Sequence, residues 1–278
     1  MYFNGFRFEI VTFDLFGGYV NSYIMETKNN IFVIDSNIER TRKSQDDIFS
    51  LLPVKEKPMT VLLTHGHWDH AGLCGYLKDK YGAKILANKD SEKMMSDKPY
   101  QLTALYDRFA PQFPFADGIR DIYNEEFTHP AKPDGYLKDG DVFTDEGFTL
   151  KVMAMPGHCK DELSFYNPEN RLLFCGDTVQ GRGYDGNPAL YDDAAALRKS
   201  LKMIRELNPM SLYGGHFSVC GPDTCRQFVD ASFAFADEID EFLKDNPGDI
   251  EAQAKAFCSK YGYNFAMHVI CTLTAHKR

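Results

Sequence analysis

The sequence predicts an α/β protein with mixed sheets. Short apolar runs of strand length alternate with amphipathic stretches of helical period along most of the chain. The cleanest helical stretch carries Leu190, Ala194, Leu197, Leu201 and Ile204 on one face. The runs between such stretches are rich in Val, Ile, Leu and Phe and stop at Gly, Pro, Asn or Asp, which punctuate strands.

Residues 6–35 read as three strands. The first alternates from Phe6, Gly17 and Gly18 break it, residues 19–26 form the second, and a Lys28-Asn29-Asn30 turn leads into Ile31, Phe32, Val33 and Ile34. Ser36 or Asn37 is expected to cap a helix running to about residue 52, where Pro53 stops it. Val61, Leu62 and Leu63 are a short buried strand. A helix follows with Leu73, Tyr76, Leu77 and Tyr81 on one face, closed by Gly82. Residues 83–87 read as a buried strand and 88–97 as a short helix.

Residues 98–135 show no clear period. They hold Tyr100, Tyr106, Phe109, Phe113, Phe115, Tyr123 and Phe127, with Pro99, Pro111, Pro114, Pro130 and Pro133 between them. Long irregular segments in compact domains are often lids or binding loops, so this insertion is expected to wall a substrate pocket. Strands at 148–154, 163–166, 171–175 and 211–213 follow. Pro222 opens a long helix with Phe228, Phe235, Ile239 and Phe242 on its core face. Asn246-Pro247-Gly248-Asp249 breaks the pattern. The expected organisation is one domain over 1–246 and a small helical extension over 247–278.

With 278 residues, 44% of them hydrophobic and 26% charged, the chain has the composition of a soluble globular protein with a sizeable core. A net charge of −9 argues against a duplex nucleic-acid binder, which needs a basic face. No apolar run reaches the length of a membrane span, and the N-terminus lacks a basic-then-apolar leader pattern. Seven irregularly spaced cysteines suit reduced thiols in a cytoplasm. Cys220 and Cys225 read as structural thiols within that set.

The strongest local signal is Thr64-His65-Gly66-His67-Trp68-Asp69-His70-Ala71-Gly72. It puts three imidazoles and a carboxylate into six positions where the 61–63 strand ends. These are ligand types for zinc and similar divalent ions. Residues two apart at a strand end point the same way, which lets His65 and His67 grip one ion while Asp69 and His70 face a second. Trp68 reads as packing. His129, His268 and His276 lie outside the motifs and read as structural or surface residues.

The H-x-H-x-D-H pattern resembles the metallo-β-lactamase-fold hydrolases. Three later stretches match that family in order and context: Met155-Pro156-Gly157-His158, Phe174-Cys175-Gly176-Asp177-Thr178 and Tyr213-Gly214-Gly215-His216. The resemblance spans roughly residues 8–240. It implies a four-layer αββα sandwich of two mixed sheets flanked by helices. It also implies two divalent ions, one on His65, His67 and His158, the other on Asp69, His70 and His216, with Asp177 bridging. Two such ions share a water and lower its pKa toward 7. Asp69 and Asp177 are then the residues closest to catalysis. Zinc is the default for these ligands; iron and manganese also accept them.

The match has departures. Where the family often reads Pro-Gly-His-Thr-Pro-Gly-His, this chain reads Pro156-Gly157-His158-Cys159-Lys160-Asp161-Glu162. Glu162 thus stands in place of a histidine that supports the ligands. It either accepts a hydrogen bond from a ligand imidazole or is solvated. The family's Asp-Thr-Gly after the opening hairpin is here Asp35-Ser36-Asn37. An aspartate at 177 resembles the glyoxalase II, lactonase and phosphodiesterase branches, whereas β-lactamases lack it. Thr178-Val179-Gln180 lacks the tyrosine that acyl-homoserine lactonases carry there. The expected function is hydrolysis of a small thioester, lactone or other ester by metal-bound hydroxide. The alternatives are a phosphodiesterase, including the tRNA 3′-processing type, and a non-catalytic metal-stabilised binding module. The expected partner is a small molecule, with neither nucleic acid nor membrane, and a homodimer is left open.

Overall fold

The structure, a computed structural model, describes residues 1–15, 18–106, 117–184, 186–263 and 266–277. Gly17, Phe109, Pro111, Phe113, Pro114 and Phe115, singled out above, lie outside them.

The N-terminal half builds a seven-stranded sheet in sequential order: β1 (Tyr2–Phe3), β2 (Phe6–Leu15), β3 (Gly18–Glu26), β4 (Ile31–Ile34), β5 (Met59–Leu62), β6 (Lys84–Asn88) and β7 (Gly135–Leu137). The first four pair antiparallel, and the pairs from β4 to β7 are parallel. Parallel neighbours need crossovers, and helices supply them: α1 (Arg42–Phe49), α2 (Trp68–Ala71), α3 (Cys74–Tyr81), α4 (Glu92–Ser96), α5 (Lys98–Leu105) and α6 (Asp117–Glu126).

The second half forms a six-stranded sheet from β8 (Val142–Asp145), β9 (Phe148–Ala154), β10 (Leu163–Asn167), β11 (Leu172–Gly176), β14 (Ser211–Gly214) and β15 (Ser218–Cys220). A small ribbon, β12 (Gly183–Tyr184) with β13 (Asn187–Pro188), sits in the β11–β14 connection. Helices α7 (Ala194–Leu207), α8 (Pro222–Asp245), α9 (Ile250–Tyr261) and α10 (Ala266–Ala275) complete the chain.

The two sheets face each other across an aromatic layer. Phe8, Tyr23 and Phe32 meet Phe148, Phe165, Phe174 and Tyr213. The Tyr23 and Phe174 ring centroids are 5.3 Å apart, a separation at which tilted rings attract beyond their buried area. Tyr23 also donates its hydroxyl to Gly214 O at 2.6 Å, so its buried polar end is satisfied. On the outer face of the first sheet, Phe49, Cys74 and Leu77 cover Val33, Val61 and Ile85. On the outer face of the second, Leu201, Ile204, Phe235 and Ile239 cover Leu173 and Leu212. The result is the αββα sandwich. Phe257, Val269, Ile270 and Leu273 of α9 and α10 join that second outer core, so residues beyond 247 share buried surface with α7 and α8.

Two local expectations are corrected. Ser36 and Asn37 do not cap a helix; the chain first makes a 3₁₀ turn at Glu39–Thr41, and α1 begins at Arg42. Ser36 Oγ instead donates to His70 O and accepts from Leu73 N, which braces the motif loop. Asn37 sits at φ +64, a left-handed conformation that asparagine tolerates, and its side chain donates to Val20 O. The 98–135 segment is also more regular than its composition implied, with α5 and α6 inside it. Asp97 accepts from Tyr100 N and Pro99 occupies the first turn, together starting α5. The aromatics have a packing purpose: Tyr106, Tyr123 and Phe127 form a small core of their own against Trp68.

Candidate metal centre

Strands β9, β11 and β14 run in one direction, because β9 and β11 are both antiparallel to β10 and β14 is parallel to β11. His158, Asp177 and His216 follow the C-terminal ends of these three strands. The 64–72 loop follows β5 and meets them at the same edge of the sandwich.

This loop is fixed from several sides before any ligand atom is placed. The Thr64 amide donates to Asp35 Oδ1 at 2.8 Å and its hydroxyl to Asp35 Oδ2 at 2.9 Å. Thr64 O accepts from Leu163 N across the sheets. Gly66 donates to Asp161 Oδ2 at 2.9 Å and accepts from Gln101 Nε2 at 2.9 Å. Trp68 donates its indole N–H to Tyr106 OH, so it packs, as expected. Helix α2 then places Asp69 and His70.

The predicted residues converge. His67 Nδ1 lies 3.0 Å from His65 Nε2 and 3.1 Å from His158 Nε2. On the other side, His216 Nε2 is 3.4 Å and His70 Nε2 is 3.8 Å from Asp69 Oδ2. Asp177 stands between the groups. Its Oδ2 is 3.1 Å from His216 Nε2 and 3.6 Å from His158 Nε2, and its Oδ1 is 3.6 Å from His70 Nε2. Gly215 permits this approach: a Cβ there would lie 2.4 Å from both Asp177 Oδ1 and His70 Cε1.

The ring nitrogens turned away from the centre are engaged. His70 Nδ1 is 2.7 Å from Asp35 Oδ2, His158 Nδ1 is 2.8 Å from Leu190 O, and His216 Nδ1 is 2.6 Å from Tyr19 O. An N–H donated outward leaves the inward nitrogen with a free lone pair, the form that binds a metal. His65 Nδ1 lies 3.3 Å from Glu162 Oε2. Glu162 is buried and takes the Asp177 amide on its other oxygen at 2.9 Å, while the hydrogen-bond partner of His65 Nδ1 is the Thr64 hydroxyl at 3.0 Å.

Electrostatics separate the two groups. Burial, reinforced by the surrounding imidazoles, holds His65 well below its ordinary pKa and His67 at about 4, so both are neutral near pH 7. Burial also disfavours a charge on His70 and His216, but facing carboxylates outweigh it and raise both. For Asp177, burial favours the neutral acid, and His216, His70 and His158 overcome it and hold the carboxyl ionised. Carboxylates that attract protons onto imidazoles would equally attract a cation. Two buried atoms facing each other, His70 Nε2 and Asp177 Oδ1, have no hydrogen-bond partner among the described residues. Such orphaned atoms cost free energy unless something fills the gap. A divalent ion fits this donor set.

The sequence reading missed Asp35, Asp161, Gln101 and Gln180. Gln180 Nε2 donates to Asp177 O and its Oε1 accepts from Leu190 N, which sets the carbonyl that holds His158. Asp35 could have been suspected, since it follows the four-residue apolar run of β4 directly; the others carry no local signal. Of the three outlying histidines, His129 packs on Tyr76 and His276 bonds Tyr191 and Asp240. Burial, with His158 and His216, lowers the pKa of His268 to about 4.

Residues 15–216 match the family profile described as the metallo-beta-lactamase superfamily. The chain belongs to that superfamily. An atrochrysone carboxyl ACP thioesterase of Aspergillus fumigatus is 30% identical over 199 residues, which is 72% of this chain and 51% of that protein. A hydroxyacylglutathione hydrolase of Francisella tularensis is 30% identical over 190 residues, 67% of this chain and 58% of that one. The chain therefore spans little more than half the length of these relatives. A metallo-beta-lactamase family protein of Thermus thermophilus superposes with a TM-score of 0.75 at 20% identity, covering 97% of this chain and 92% of the other. At that identity the likeness speaks for the fold.

Proposed function

We propose that this superfamily member is a dinuclear metal-dependent hydrolase of small ester-like substrates, thioesters or lactones. The observation that carries the reading is the position of Asp177, with one carboxylate oxygen toward His70 and the other toward His158 and His216. His65, His67 and His158 would hold one ion, Asp69, His70 and His216 the other, and Asp177 both. Zinc is the first expectation, with iron or manganese as substitutes. When bound, a pair of such ions activates water near neutral pH and polarises the acyl oxygen under attack.

The chain's own residues do the rest. Asp35, Glu162, Leu190 O and Tyr19 O hold four imidazoles in fixed orientation, so little reorganisation remains to be done during reaction. Asp69 is the more exposed of the two central carboxylates and has its Oδ2 beside His216, which suits it to take a proton from water and release it to solvent. The names of the two relatives, a thioesterase and a hydroxyacylglutathione hydrolase, support an acyl thioester as the first substrate to try. All seven cysteines are free thiols, which suits the cytoplasm. Among the described residues, no helix is long and apolar enough to cross a membrane.

The test is a panel of thioesters, lactones and phosphodiesters given to zinc-loaded protein. Turnover of thioester or lactone is expected. Turnover confined to phosphodiesters would replace this reading with the phosphodiesterase one, and metal-loaded protein inert to all three would leave a binding module.

A further inference from the structure

The turn that presents His216 has little stiffness of its own. It reads Gly214-Gly215-His216-Phe217 between β14 and β15, and Gly215 has to stay a glycine because Asp177 and His70 leave no room for a Cβ. Glycines have the most conformational freedom to lose, so the restraint must come from outside the turn. Strand β3 of the opposite sheet supplies it. Successive side chains of a strand alternate between its faces. Tyr23 and Met25 lie in the core between the sheets and Ile24 in the outer core, so Asn21 shares the face of Tyr23. Both Asn21 and Tyr23 are buried, and both end on the turn. Tyr23 OH donates to Gly214 O at 2.6 Å, and Asn21 Nδ2 donates to the same oxygen at 3.2 Å and toward Phe217 O at 3.4 Å. The Asn21 amide donates to Gly215 O at 2.8 Å, and two residues further Tyr19 O lies 2.6 Å from His216 Nδ1. Asn21 is itself held: Thr12 Oγ1 of β2 donates to its Oδ1 at 2.9 Å, which keeps the amide nitrogen toward the turn.

We propose that Asn21 and Tyr23 are positioning residues for His216 and that, through it, they set the affinity of the second ion position alone. This rests on the dinuclear hydrolase reading above. The ligands proposed for the first position take their holds elsewhere. Asp161 and Gln101 grip Gly66 beside His67, Thr64 beside His65 is tied to Asp35, and Leu190 O takes the His158 ring. Asp177, which would serve both ions, has its amide on Glu162. Of the groups proposed for the second ion, Asp69 and His70 stand on α2, whereas His216 arrives on a glycine turn from the other sheet. Its Nε2 lies 3.4 Å from Asp69 Oδ2 and 3.1 Å from Asp177 Oδ2, and a turn released from β3 would no longer keep it there. Removing an outer partner of a metal ligand typically costs roughly 10–100-fold in affinity, and a support one bond further out belongs at the low end, about tenfold. The hairpin that opens the chain thereby decides whether the site holds one ion or two.

The experiment compares wild type, Asn21→Ala, Tyr23→Phe, the double variant and Asp69→Ala. Zinc is stripped by chelation and dialysis, then returned in steps against a chromophoric chelator, which gives the affinity of each step. The thermal midpoint of each metal-free protein is read beside it. Asp69→Ala removes a ligand proposed for the second ion only, and so marks that ion's step. Asn21→Ala and Tyr23→Phe should each weaken the marked step by about tenfold, and the double variant by more, with the other step unchanged. A marked step of wild-type affinity overturns the proposal, whatever happens to the thermal midpoint. Equal weakening of both steps also overturns it, since a general loss of structure would produce that. Should Asn21→Ala not fold, Tyr23→Phe, which keeps the ring in its core, decides by the same two outcomes. A wild type that takes up only one zinc shows instead that the dinuclear reading has failed, and removes this inference with it.

Discussion

The Asp177 amide donates to Glu162 Oε1 at 2.9 Å, and the other oxygen of the same carboxylate lies 3.3 Å from His65 Nδ1. One buried side chain thus ties the proposed shared ligand to a histidine of one ion only. The backbone is shaped for it. Gly176, at φ +48, has its Cα so close that a Cβ would fall 2.1 Å from Glu162 Oε1. Any other residue at 176 would be strained and would push the carboxylate out.

Glu162 should therefore control metal affinity. Glu162→Ala removes the support of His65 and leaves the Asp177 amide without its acceptor, so zinc affinity should fall by about 10–100-fold. Glu162→Gln keeps one acceptor oxygen and should lose less. Competition against a chromophoric chelator measures both; equal affinity in Glu162→Ala and wild type would show that the carboxylate does not support the ligands.

Asp35 makes a comparable demand from the first sheet. It sits at φ +59, fully buried, and satisfies the Thr64 amide, the Thr64 hydroxyl and the His70 ring. Asp35→Ala strips a buried acceptor from all three. The fold should lose about 3 kcal/mol, a large part of ordinary domain stability. Asp35→Asn retains the shape and one acceptor and should lose less. Urea midpoints of metal-free protein separate this cost from metal binding, and a change under about 0.5 kcal/mol in Asp35→Ala would contradict it.

Which features were legible in the sequence follows from how local their causes are. The proposed ligand residues announce themselves because each sits in a short stretch with a fixed backbone task, a strand ending in a tight turn. Strands β3 to β6 and helices α7 and α8 follow from periodicity and punctuation within a dozen or so residues. Asp35 and Glu162 act on partners far along the chain, and a lone carboxylate in sequence looks solvated. Helix α5 was hidden because its signal is a cap and a proline, Asp97 and Pro99, in a stretch whose aromatics suggested a loop.

Metal removal should be visible without any substrate. The proposed ligand atoms come from both halves of the chain and meet at one edge, so an ion bound there would bind the folded state only. At a concentration of a hundred times its Kd a ligand adds about 2.7 kcal/mol of stability, which for a domain of this size raises the thermal midpoint by roughly 5–10 °C. Chelation followed by dialysis should lower the midpoint, and two equivalents of zinc should restore it. Saturation at one equivalent would refute the dinuclear assignment, and no shift at all would refute the site.

The insertion offers the last test, because the structure changes what its removal should do. An insertion that merely walls the pocket would alter KM and leave metal binding untouched, since uniform binding energy alone would be lost. Here Gln101 of α5 donates to Gly66 O inside the ligand loop, and Tyr106 accepts from Trp68 one residue after His67. The segment therefore braces His67, the most exposed of the three histidines around the first ion position. Gln101→Ala leaves Gly66 O without a buried donor, and a destabilisation of about 1–2 kcal/mol is expected. The loop should then hold His67 less firmly, lowering zinc affinity and kcat together. Tyr106→Phe removes only the hydroxyl that receives the indole N–H; its cost should be about 1 kcal/mol with zinc affinity nearly unchanged, because the aromatic packing on Trp68 and Tyr123 remains. A Gln101→Ala protein with wild-type zinc affinity and a raised KM alone would return the segment to the simpler office of pocket wall.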